Sequence, residues 1–180
     1  MPKLPATQTA HFERLANVVA LPIGRWDADA RLLFCNTPYL AWAGRSHEQL
    51  LGRTLDELFG KDAWAAAQPA FVRAFGGETT SYQRLLTHPP HPQRWARIQV
   101  FPDVDDRGVV TSVYTIATDI HQDIVERDAL IAARKRLDRF TDNIPTPLTY
   151  LDTHCLLRFV NKAWCSLVSR SAAESLGRHV

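Results

Sequence analysis

Residues 21–55 read LPIGRWDADARLLFCNTPYLAWAGRSHEQLLGRTL, and residues 146–180 read TPLTYLDTHCLLRFVNKAWCSLVSRSAAESLGRHV. The two stretches align without a gap at a constant offset of 125 residues. Ten of the thirty-five pairs are identical: Pro22/Pro147, Asp27/Asp152, Leu32/Leu157, Phe34/Phe159, Asn36/Asn161, Arg45/Arg170, Ser46/Ser171, Leu51/Leu176, Gly52/Gly177 and Arg53/Arg178. Turn and cap residues recur along with apolar ones, which sets this apart from chance likeness between amphipathic stretches. The period is too long for a solenoid, whose repeats run to roughly 20–50 residues. It reads as two copies of one domain with a linker between them. The first copy has room to be whole. The second stops at Val180, before the later strands of the first copy have a counterpart, so the chain is expected to be a piece of a longer protein.

Working outward, residues 22–28 and 31–35 are β-prone runs around the Asp27–Asp29 turn and read as a hairpin. Asn36 or Thr37 can cap a short helix over 38–43, with Pro38 in its first turn. Ser46 to Gln49 has capping-box spacing and Gly52 supplies the stop. Ser171 to Glu174 and Gly177 repeat the device. Asp62 is the expected cap of a helix over 63–75 with Trp64, Ala67, Phe71, Val72 and Phe75 on one broad face. Pro69 predicts either a kink or the start of a new helix. Three strands are expected over 79–87, 94–101 and 109–118, the last central and covered on both faces. The prolines of His88 to Pro92 make the first connection a loop. Tyr82, Arg84 and Leu86 share one strand face, as do Ala96, Ile98 and Val100. Two strands, short helices, then three strands define an α+β domain with an antiparallel sheet and helices on one face.

Composition excludes several classes. With 46 % apolar and 22 % charged residues the chain is of ordinary globular type. Its apolar runs fall far short of the ~20 residues of a membrane helix, and residues 1–10 lack the pattern of a signal peptide. A net charge of +2, with scattered basic residues, does not point to nucleic acid. Cys35, Cys155 and Cys165 are odd in number and form no CxxC pair, which fits the reducing cytoplasm.

In this order, the segments resemble the PAS sensor domain family. The resemblance rests on Asn36 after the second strand, Ser46 to Arg53, and Phe71 to Glu78 before the third strand. It also rests on Arg94-Trp95 and Phe101-Pro102 bounding the fourth strand, and Asp119-Ile120 ending the fifth. Phe140 to Pro145, Arg158 to Asn161 and residues 175–180 resemble the opening of another such domain. The resemblance implies a five-stranded sheet over 21–119, after an N-terminal extension or helix over 1–20. It further implies a helical linker over 120–143 and a partial second copy over 144–180. It also implies sensing and relay in a bacterial signalling protein, often as a dimer, upstream of a histidine kinase, diguanylate cyclase (GGDEF) or phosphodiesterase (EAL) domain in cis.

The flavin photosensors of this family carry a reactive cysteine directly after an asparagine. Here Cys35 precedes Asn36, and the motif is missing. Haem-binding members use a histidine on the long helix before the third strand, and residues 62–75 contain none. No cofactor is therefore expected, while an unknown small ligand remains possible. His88 and His91 lack further ligands at metal spacing, and no catalytic motif appears.

Trp26, Tyr39, Trp42, Tyr82 and Trp95 can line a ligand pocket between sheet and helices, where Arg84 or Arg97 would meet an acidic group. The other reading makes the tryptophans core or dimer-face packing and the arginines solvated.

Residues 120–140 hold no proline or glycine and place acids first and bases last, in line with a helix dipole capped at Asp119. Ile120, Ile124 and Ile131 form one apolar stripe. Leu130, Ala133, Leu137 and Phe140 form a second at coiled-coil spacing, which predicts a homodimer through the linker. Three functions compete: a non-catalytic sensor, an interaction scaffold with a side-chain-filled cavity, and a small enzyme with a dispersed site.

Overall fold

The computed structural model describes residues 14–87 and 93–179. The expected loop from His88 to Pro92, with its two histidines, lies outside the described residues, as does most of the N-terminal extension. The chain divides into two compact units, Met1–Gln122 and Asp123–Val180.

In the first unit, helical residues 14–18 (α1) precede β1 (Ile23–Trp26) and β2 (Leu32–Cys35). Four helices follow: α2 (Thr37–Ala43), α3 (His47–Leu50), α4 (Leu55–Phe59) and α5 (Lys61–Phe75). Then come β3 (Thr80–Leu86), β4 (Arg94–Val104) and β5 (Val110–Asp119). The strands form one antiparallel sheet in the order β2-β1-β5-β4-β3. Strands remote in sequence, β1 and β5, thus meet at its centre. The core lies between one sheet face and the helices, where Trp26, Leu32, Val100 and Val113 are almost wholly buried.

Several sequence expectations need correction or are decided. Gly60, not Asp62, is the N-cap of α5, and the helix begins at Lys61. Of the two alternatives at Pro69, the start of a new helix does not occur, since α5 continues through that residue. Pro69 is exposed, as is Ala65, whose carbonyl the missing N–H leaves free for water. The buried stripe of α5 is Ala63, Ala67, Ala70, Phe71 and Ala74, and Val72 faces outward. These small side chains suit close approach to the sheet. Finally, β4 continues past Phe101-Pro102 to Val104. Its pairing with β3 ends at Val100, so Pro102 sits where β4 has only β5 beside it, a place a residue without an N–H can occupy.

The strand β5 is central, but it is not covered equally on both faces. Val113, Thr115 and Ala117 are buried, while Tyr114, Ile116 and Thr118 are half-buried. An unforeseen capping box, Thr54 with Glu57, starts α4: the Thr54 N–H donates to the Glu57 carboxylate at 3.0 Å. Such caps contribute about 1 kcal/mol each.

The second unit holds most of α6 (His121–Asp142), the hairpin of β6 (Thr149–Leu151) and β7 (Leu157–Val160), then α7 (Lys162–Val168) and α8 (Ala172–Ser175). Its hydrogen bonds reproduce those of the first unit at the sequence offset. Asn36 Oδ1 accepts from the N–H groups of Ile23 and Tyr39, and its Nδ2 donates to the carbonyls of Ala16 and Leu21. Asn161 Oδ1 accepts from Leu148 and Trp164, and its Nδ2 donates to Thr141 and Thr146. The Thr37 N–H donates to Asn17, and the Lys162 N–H to Asp142. Leu32 N–H reaches the Arg53 carbonyl, and Leu157 N–H that of Arg178. The end of α6 thus meets its hairpin as α1 meets the first hairpin, a match that extends beyond the aligned sequence.

Candidate functional site

A small cavity lies between the inner sheet face and helices α2 and α4. Its volume is about 40 Å³, and Trp26, Tyr39, Trp42, Phe59, Tyr82 and Arg84 line it with Leu55, Leu86, Ile98, Thr115 and Ala117. That is room for about one water molecule. Strand alternation delivers Tyr82, Arg84 and Leu86 from β3 and Thr115 and Ala117 from β5. The cap at Asn36 orients α2 so that Tyr39 is buried against Trp26. The two rings meet edge to face at 6.5 Å, and Phe71 meets Trp26 from α5 at 6.1 Å. Trp26 Nε1 donates to Thr115 Oγ1 at 2.9 Å, which satisfies the buried indole.

Gly24 sets how closely this wall can pack. A Cβ there would stand 3.0 Å from a Tyr39 ring carbon and 3.1 Å from both Thr115 Oγ1 and Trp26 Nε1. No sequence signal singled out Gly24 or Thr115, because their role depends on the pairing of β1 with β5.

Arg84 is the unusual group. Its guanidinium lies over the Phe59 ring, 5.4 Å from the centroid. Among the described residues no carboxylate forms an ion pair with it. Burial lowers its pKa, while neighbouring Tyr82 and Tyr39 act in the opposite sense. Burial pushes the Tyr82 phenol up to about 12 and Tyr39 far above its ordinary value, although the Arg84 charge works against both shifts.

A second, open cleft of about 310 Å³ adjoins this wall, lined by Phe59, Gly60, Lys61, Asp62, Ala63, Ala66, Arg84, Leu85 and Thr87. Phe59 and Arg84 line both spaces.

Five of the seven residues expected in a pocket therefore converge: Trp26, Tyr39, Trp42, Tyr82 and Arg84. Trp95 and Arg97 do not. The alternation that buries Ala96 and Ile98 turns their neighbours to the other face of the sheet, where Trp95 is half-buried and Arg97 exposed. Phe59 was missed because the Thr54 capping box that begins α4 went unread. Cys35 is buried at the end of β2, and burial pushes its thiol up to about 11, which disfavours the reactive thiolate. Among the described residues no group of three metal-ligating side chains occurs, and no helix is long and apolar enough to cross a membrane.

At the sheet's exit, Arg94 Nε donates to Asp119 at 2.6 Å, and Asp119 also accepts the His121 N–H at 2.9 Å. Partial burial works to raise the Asp119 carboxyl. The Arg94 and His121 hydrogen bonds and nearby positive charge outweigh it and hold the group below the usual range. Ile120 N–H donates to the Trp95 carbonyl, so the start of α6 is tied to β4. Further along α6, Leu130, Ala133, Leu137 and Phe140 are exposed.

The sequence profile of the PAS fold family matches residues 17–123, more than half of the chain. The chain belongs to that family, whose members are in general sensory input modules rather than enzymes. Among solved structures, the chain is similar to the PAS domain of Bordetella pertussis BvgS. Identity is 20 % and the TM-score 0.56, over 72 % of this chain and 98 % of that one. An RNA-binding Light-Oxygen-Voltage receptor is matched at 18 % identity and a TM-score of 0.59, over 76 % of this chain but only 40 % of that one. The PAS domain of an HTR-like protein from Haloarcula marismortui matches at 17 % and 0.50, over 63 % and 93 %. At these identities the likeness carries the fold. No curated protein matches the chain.

Proposed function

We propose that this chain is the sensory input region of a bacterial signalling protein. A small ligand bound against the inner sheet face of the first unit would be relayed through α6 to an output domain in cis, of the histidine kinase or GGDEF/EAL kind. The observation that carries the reading is the convergence of Tyr39, Tyr82 and Arg84 on one aromatic-lined space. Polar groups that meet in an apolar cleft are the usual make-up of a ligand site. A scaffold whose cavity is simply filled would not place a guanidinium there without a carboxylate. The three free cysteines are in keeping with a cytoplasmic setting.

The second unit, in this reading, is the opening part of a further PAS-like domain. The support is its repetition of the Asn36 network around Asn161 and of the Ser46 capping box at Ser171. The α6 seam is proposed to pair with a second copy in a parallel dimer. Leu130 is 72 % exposed and Phe140 66 %, and a single helix gains nothing from showing such a stripe to water.

Two measurements test the proposal. A thermal-shift screen of small molecules against the whole chain should yield a ligand that stabilises it, by about 2.7 kcal/mol at a hundred times its Kd. Without any stabilising ligand, the scaffold reading replaces the sensor. Changing Leu130 and Leu137 to Asp should convert a dimer to monomer in sedimentation equilibrium while unit one stays folded. An unchanged mass would remove α6 from the interface.

A further inference from the structure

We infer that the sensed molecule is a small organic monoacid: its carboxylate sits on Arg84 in the open cleft and its apolar body passes Phe59 toward the inner cavity. This rests on the ligand-binding reading above and narrows it to one chemical class. The stacked pair of Phe59 and Arg84 lines both spaces, the cleft of about 310 Å³ and the smaller inner cavity of about 40 Å³. The inner cavity holds no more than a water or so, whereas the cleft has the size of a small-molecule site. A ligand seated in the cleft and reaching toward the inner cavity passes this pair, where Arg84 offers an anion a charged partner and Phe59 offers an apolar face.

The charges around the cleft argue for one negative charge rather than several. Lys61 and Arg84 are cationic there, but the Asp62 carboxylate shares the cleft and Asp56 lies near enough to feel Lys61. Neither cation forms an ion pair among the described residues, and Arg84 is the one of the two that also lines the inner cavity. A guanidinium binds a carboxylate through two parallel N–H donors, and the partly buried setting strengthens that contact. A polyanion such as a nucleoside triphosphate would meet Asp62 and Asp56 as well. On the inner side Tyr39 and Tyr82 offer hydroxyls to which no residue described here hydrogen-bonds, set in an aromatic wall that suits a hydrocarbon body.

The test compares benzoate, phenylacetate and hexanoate, each with its own primary amide, by calorimetric titration of the whole chain. At least one acid should bind roughly ten- to a hundredfold more tightly than its amide, the size of a charged hydrogen bond. Arg84→Gln should abolish that preference by weakening the acid alone, and Arg84→Lys should keep part of it. Should Arg84→Gln fail to fold, Arg84→Lys carries the decision: acid affinity must drop several-fold while amide affinity holds. Inorganic phosphate at the same concentration should not displace the acid. Displacement would mean a general anion site and would overturn the proposed seating of the apolar body. Equal binding of acid and amide, or a preference that survives Arg84→Gln, overturns the inference and leaves the cavity reading standing. Binding by none of the six probes overturns the inference, and the cavity reading fails with it only if the wider thermal-shift screen is also blank.

Discussion

The hairpins β1–β2 and β6–β7 share their local hydrogen bonds and differ in what covers them. Leu32 and Leu157 are buried alike, as are Asn36 and Asn161. The turn repeats down to its backbone: Ala30 and Cys155 sit at φ of 57° and 58°, and Asp27 and Asp152 each accept two N–H groups of their own turn. The parity ends on the side that β5 and α5 occupy in the first unit. Trp26 is 1 % exposed, and its counterpart Leu151 is half-buried. Tyr39 and Ala43 are buried, while Trp164 is half-buried and Val168 exposed. Local sequence is therefore enough to form the hairpin and its caps, but the aromatic site needs strands and a helix distant in the chain.

Hydrogen exchange should separate the two regions most widely. Global unfolding of a domain like the first unit takes on the order of 5 kcal/mol or more, while a two-stranded hairpin is marginal in water. Amides of β1, β4 and β5 should then be protected about a thousandfold or more beyond those of β6 and β7. Equal protection would mean that another chain or segment covers β6–β7.

Truncation at matched positions sharpens the contrast. Trp26→Ala removes a buried indole and its Thr115 hydrogen bond, and should cost about 3–5 kcal/mol in a denaturant titration. Leu151→Ala, at the same place in the repeat, should cost about 1 kcal/mol or less, since its side chain is already partly in water. Comparable losses would show that the second hairpin has a core of its own.

The smallest effect concerns the end of α7. Gly44 closes α2 at φ of 64°, and Ser169 closes α7 at φ of 51°. Left-handed backbone costs a side-chain-bearing residue about 1 kcal/mol that glycine escapes. Ser169→Gly should therefore stabilise the second unit by up to about 1 kcal/mol, seen as slower exchange in β7. Gly44→Ser should destabilise the first unit by a similar amount. No change in either would place the cap strain elsewhere.

The five strands, the capping boxes at Ser46 and Ser171 and the inward side of β3 were legible because each depends on residues a few positions apart. The failures share a cause. Asp62 has the chemistry of a cap, but Gly60 reaches the role first because α4 ends against it. Pro102 should close a strand, yet the end of β3 at that level frees it from needing a donor. Trp95 and Arg97 were grouped with the pocket by residue type, although the alternation placing Ala96 and Ile98 inside already turned them away.

Spacing of two and of three to four residues, with caps and turns, was thus sufficient for the strands, most helices, the repeat and the fold class, since these are interactions between neighbours along the chain; α4 was equally local, and its capping box went unread. The position of Arg84 over Phe59, the need for a bare Gly24 and the division into an inner cavity and an outer cleft come from the order β2-β1-β5-β4-β3. That order joins residues some ninety positions apart, such as Trp26 with Thr115. Pairings at such range are selected by burial of the whole core rather than by any local preference.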